Sequence, residues 1–80
     1  IPDLVVEVRS KNDADNFIAQ RVADYLAAGV AVVWVADPRT KSVAVHLPHA
    51  EPRLFQGDDV LEAEDIVPGL RIRVRDVFEE

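Results

Sequence analysis

The run from Val30 to Ala36 (VAVVWVA) constrains this chain more than any other stretch. It is apolar at every position, rich in β-branched residues and too short for a typical helix, which is how a strand buried on both faces reads. Such a strand sits centrally in a sheet and needs a packed layer on each side. Upstream, residues 2–9 (PDLVVEVR) alternate, with Asp3, Val5, Glu7 and Arg9 on one face and Leu4, Val6 and Val8 on the other, the signature of a second strand. The stretch between them begins SKNDADN, where Asp13 is the foremost N-cap candidate and Asp15 complements the dipole of the first turn. Ile18, Val22, Tyr25, Leu26 and Gly29 then fall on one helical stripe, with Gly29 where a left-handed C-cap belongs, so the spacing predicts a helix over about 14–28. Strand, helix and strand make a βαβ unit, whose right-handed crossover sets its two strands parallel.

Downstream, Asp37-Pro38-Arg39-Thr40-Lys41 has turn chemistry and leads into Ser42 to Leu47, where Val43, Val45 and Leu47 alternate with Ala44 and His46. A hairpin therefore adds an antiparallel strand. Arg53-Leu54-Phe55 reads as a short edge strand, Gly57-Asp58-Asp59 as a turn, and Val60-Leu61 as the start of another short pairing. After the Pro68-Gly69 turn, Leu70, Ile72 and Val74 oppose Arg71, Arg73 and Arg75 in strict alternation, and Asp76-Val77-Phe78 make a terminal turn that tucks Phe78 under the sheet. The expected class is α/β: a βαβ unit with added antiparallel hairpin strands.

Eighty residues fit one small domain that buries roughly 60% of the surface its unfolded chain exposes. Beginning at Ile1 without a Met anywhere, the chain is expected to be a piece of something longer, its missing part lying upstream. Neither a membrane span nor a signal segment is present in the sequence. With no Cys, a disulfide framework and a thiolate metal site are both excluded, which suits a reducing cytoplasm and leaves carboxylates and two His as the available ligands. The net charge of −6 has the wrong sign for gripping a phosphate backbone through the bulk field of the molecule.

The residues that carry chemistry lie on the first strand. Hydrolysis of a phosphodiester calls for carboxylates that hold a divalent cation and a nearby cationic group that positions water and offsets developing charge. Glu7 and Arg9 share a strand face and supply one of each. Asp3 precedes Glu7 by four residues, about 13 Å along an extended strand, too far for both carboxylates to bind one ion. Arg21 is the other cationic candidate, placed between Phe17 and Tyr25 at i±4 on the border of the core stripe, from where it can lean over the first strand.

The run PDLVVEVRS, a helix ending RVADYLAAGV, and then VVWVADP together resemble the Uma2-type restriction endonucleases of the PD-(D/E)XK nuclease superfamily. The resemblance covers Pro2 to about Pro38, with the tail similar in layout. It implies that residues 1–80 form a partial domain, the C-terminal portion of a restriction-endonuclease-like fold. It further implies a DNA phosphodiester substrate and a Mg²⁺ or Mn²⁺ cofactor. Carried over, it makes Glu7 the acidic residue of the E-x-K element and a metal ligand, with the Val8 backbone carbonyl also within reach of the metal and Asp3 a remoter candidate. The superfamily's other metal-binding Asp comes from a preceding strand, absent here. The catalytic Lys of many such sequences lies on the helix four residues before the Tyr, which is Arg21 here, while the strand position is Arg9. Arg keeps the charge but is never deprotonated, so neither residue can serve as a general base; each can orient water or steady a transition state.

Simpler readings stand beside these. Glu7 can be a solvated partner for an arginine, Asp3 a strand-start residue bonded to backbone, and Arg21 a helix-surface residue paired with Asp24 or Asp15. His46 and His49 straddle Pro48 as exposed histidines rather than a metal pair. Arg71, Arg73 and Arg75 suit a half-exposed edge strand, with nucleic-acid contact through Arg71 and Arg73 as the sharper alternative, and the acidic run Asp58 to Asp65 suits a solvated surface that pairs with them. A catalytically degenerate or truncated interaction or oligomerisation module is the rival to an enzyme, and an open sheet edge makes self-pairing into a homo-oligomer plausible.

Overall fold

Val33 and Val35 of the central run turn one way and Trp34 and Ala36 the other, and all four are buried. The computed structural model describes residues 1–79 and arranges them as β1 (Leu4–Val8), α1 (Asp15–Ala27), β2 (Val32–Asp37), β3 (Ser42–His46), β4 (Arg53–Gln56), β5 (Val60–Glu62), β6 (Arg71–Arg73) and α2 (Val74–Val77). Strands β1 to β4 form one sheet in sequence order, so β2 is interior and β1 and β4 are edges. β1 runs parallel to β2 from Leu4↔Val32 to Val8↔Ala36, as the βαβ reading requires. β3 and β4 follow antiparallel, and β5 with β6 makes a separate two-stranded sheet.

Two cores lie on opposite faces of the sheet. Helix α1 presses Ile18 and Val22 against Val30, Val33 and Val35, with Val5, Tyr25, Leu26 and Ala44 around them. On the other face Trp34, Ala36 and Val43 meet Leu61 and Val74, and the partly buried Leu4, Val45, Phe55, Ile72 and Phe78 close round them. Each Val or Leu fully withdrawn from water contributes about 1.5–3 kcal/mol, so these few side chains carry much of the fold. Beside this second core a groove of about 660 Å³ opens between Trp34, Val45 and Phe55 and the 60–66 segment.

Three local expectations need correcting. The N-cap is Ala14, without a side-chain cap, because the Asp13 carboxylate instead accepts from the Ser10 N–H at 2.9 Å and closes a turn ahead of the helix. The strand expected over Leu70 to Val74 is shorter: the Val74 and Arg75 N–H groups donate to the carbonyls of Asp59 and Gly57, each at 2.9 Å, and the chain turns into α2. The apolar face of β1 is covered only at Leu4, leaving Val6 and Val8 at 53% and 64% exposure, because the β5, β6 and α2 layer packs over β2 and β3 and stops short of that edge. Gly29 does end the helix with φ +105°, its N–H donating to the Leu26 carbonyl at 3.1 Å. No helix among the described residues is long and apolar enough to cross a membrane.

Candidate active site

Register decides what Glu7 meets. Paired with Val35, it shares the sheet face on which α1 packs, and Ile18 and Val22 anchor that helix so that the next residues on its border overhang β1. Arg21 crosses the gap: Nε lies 2.8 Å from Glu7 Oε1 and Nη2 donates to Oε2 at 3.2 Å. Nε is buried and off the hydrogen-bond axis, so its contact with Oε1 is ionic rather than an aligned bond. Tyr25 completes the cluster, its hydroxyl donating to Glu7 Oε2 at 3.4 Å while accepting from Arg21 Nη2 at 3.2 Å. The guanidinium also lies over the Phe17 ring at 5.7 Å and the Tyr25 ring at 5.9 Å, a cation–π arrangement produced by the i±4 spacing. The Glu7 side chain is 17% exposed and that of Arg21 is 41% exposed. Hydrogen bonding to Glu7, and then its charge, hold Arg21 above the ordinary arginine pKa, so this group is permanently cationic.

The other cation of the strand goes elsewhere. Arg9 pairs with the Asp15 carboxylate at the start of α1 and donates to the Asp13 carbonyl at 3.1 Å. Its pKa is raised, and that of Asp15 lowered, first by the hydrogen bond between them and then by their opposite charges. Arg9 therefore lines a cleft of about 290 Å³ beyond the C-terminal ends of β1 and β2, with Ser10, Lys11, Asp13, Asp37 and Arg39. Asp24, the other partner considered for Arg21, accepts from Gln20 at 2.9 Å. The Arg9–Asp15 pair was not anticipated from the sequence, in which Asp15 stood only as a first-turn charge and as a partner for Arg21.

Asp3 lies exposed just before β1, and Val8 sits in register with Ala36, its side chain turned outward. Among the described residues, no three His, Asp or Glu side chains gather into a metal-binding group. A hard divalent cation takes six or more oxygens, whereas this site offers one carboxylate whose two oxygens both face a guanidinium, with a phenol also on Oε2. The described residues do not by themselves fit the ion. His46 is partly buried on β3, and burial lowers its pKa, while His49 is exposed in a left-handed turn at φ +61°. Arg71 pairs with Glu62 at 3.1 Å, Arg73 with Asp76 at 3.4 Å and Arg75 with Asp58 at 3.2 Å, so each arginine of the alternating run already faces a carboxylate.

The Uma2 family model, described as "Putative restriction endonuclease", matches residues 1–75. Among solved structures, one described as a putative nuclease belonging to DUF820 from Anabaena variabilis superposes with a TM-score of 0.87 at 23% identity, over 96% of this chain and 44% of that one. At that identity the likeness is one of fold, and the present chain spans less than half the length of its structural relative. No curated protein matches.

Proposed function

Because the chain belongs to the Uma2 family, described as putative restriction endonucleases, we propose that residues 1–80 are the C-terminal part of a PD-(D/E)XK nuclease-like domain whose intact protein hydrolyses DNA phosphodiester bonds. The observation that carries this reading is the Glu7, Arg21 and Tyr25 cluster, a carboxylate, a fixed cation and a phenol brought to one point by strand register and helix packing. In this reading Arg21 and Tyr25 face the phosphate: the guanidinium offsets charge as it grows on the phosphoryl oxygens and the phenol supplies a further donor. Arg9 lies one strand step beyond Glu7 and contributes positive charge at the neighbouring cleft. A requirement for Mg²⁺ or Mn²⁺ belongs to the proposal for the intact protein alone, since Glu7, already held by Arg21, and the Val8 carbonyl do not make an oxygen shell for the ion. Asp3 adds no ligand to that shell, and Arg71 and Arg73 are secondary DNA contacts at most while their carboxylate partners hold them. A cytoplasmic location belongs to the same proposal.

The test is cleavage of plasmid or oligonucleotide DNA by the intact protein with Mg²⁺ or Mn²⁺, beside Glu7→Ala. Activity unchanged in the variant removes Glu7 from the mechanism. A second reading, a non-catalytic interaction or oligomerisation module, is favoured by the engagement of both Glu7 oxygens within the chain. It predicts no cleavage by wild type or variant under any metal condition.

A further inference from the structure

Glu7 already has a cation. From the contacts at both of its oxygens, we infer that Arg21 is the resident counter-ion of Glu7 and keeps divalent cations off this carboxylate. A divalent ion bound to these oxygens lies about 2.0–2.6 Å from them, which sets two positive charges close to a guanidinium that is 2.8 and 3.2 Å from the same atoms. One of the cations has to leave. A lysine in this place could withdraw by losing its proton, but an arginine stays charged across the working pH range. Movement of the side chain is opposed as well, because Phe17 and Tyr25 flank it and the Tyr25 hydroxyl accepts from Nη2. Its nearest acidic alternatives on α1 are engaged, Asp15 by Arg9 and Asp24 by Gln20.

This inference goes beyond the cleavage reading and fails separately from it. The experiment titrates Mn²⁺ alone into the ¹⁵N-labelled chain and follows paramagnetic broadening of backbone amide signals, with signal dispersion reporting folding of each variant. In the wild type, millimolar Mn²⁺ leaves Glu7 and Val8 no broader than residues remote from the site. Arg21→Gln, and Arg21→Met as a second variant that keeps the apolar stem, broaden Glu7 and Val8 at roughly tenfold lower Mn²⁺, a gap of about 1.4 kcal/mol, and adding Glu7→Gln abolishes the effect. Equal broadening at Glu7 and Val8 in wild type and variants overturns the inference while leaving the nuclease reading intact. Absence of localised broadening in both folded Arg21 variants also overturns it. Loss of the nuclease reading would appear instead in the cleavage assay, as activity indifferent to Glu7→Ala.

Discussion

Arg21 on α1 reaches Glu7 on β1 with two nitrogens on two oxygens, joining the helix to the edge strand across fourteen positions of sequence. Nη2 makes the hydrogen bond and Nε adds a close ionic contact, a pair of contacts that a single ammonium group cannot reproduce. It therefore both positions the candidate site and ties down an edge strand whose opposite face is bare at Val6 and Val8.

Removing Arg21 from the intact protein, as Arg21→Ala, should lower DNA cleavage about 100-fold if the guanidinium stabilises charge in the transition state. Single-turnover rates should fall, while DNA affinity changes much less. A drop confined to affinity would reassign Arg21 to binding.

Leu61 is 1% exposed between the sheet and α2. Leu61→Ala should cost about 2–5 kcal/mol through lost burial and the cavity left behind. Urea unfolding should show a reduced midpoint with an unchanged slope.

At Gly29 the obstacle to substitution is the backbone. A Cβ there would meet Ile1 Cδ1 at 3.8 Å, an ordinary contact, yet φ is +105°. Gly29→Ala should destabilise by about 1 kcal/mol or more, measurable as a fall in thermal midpoint.

His46 should give stability a slope on the acid side. Burial lowers its folded pKa below the ordinary 6.5, so near pH 6 the unfolded chain binds the proton more readily than the folded one. Its contribution is flat above about pH 6.5 and is lost as pH falls from there through the folded pKa. His46→Gln should remove that part of the slope from urea midpoints taken between pH 7 and 5, and an identical slope in the variant would refute the assignment.

Val6 and Val8 stand exposed on an edge strand, the arrangement through which chains pair with one another. Val6→Lys with Val8→Lys should shift sedimentation toward monomer at high concentration while altering stability by no more than about 0.5 kcal/mol.

What the sequence revealed follows from how local each determinant is. The β2 run, the Ile18 and Val22 stripe and the Gly29 terminus are periodic or stereochemical signals read within a few residues, and each appears where its pattern predicted. Asp13 failed as a cap because two local bonds competed for its carboxylate and the turn at Ser10 took it. Arg9 and Arg21 could not be told apart by charge or spacing; only the packing angle of α1 sends one to Asp15 and the other to Glu7. Exposure of Val6 and Val8 depends on how far the second layer extends, which alternation along β1 does not encode.

The parallel pairing of β1 has a consequence for the order of assembly. Val33 meets His46 and Val43 meets Phe55 across short hairpins, but Leu4 finds Val32 only after the whole intervening helix has closed a much longer loop. The hairpin strands should therefore dock early and β1 late, giving β1 amides faster native-state hydrogen exchange than those of β2 or β3. Glu7 rides on that late strand, so the fold should be nearly finished before its carboxylate and Arg21 ever meet.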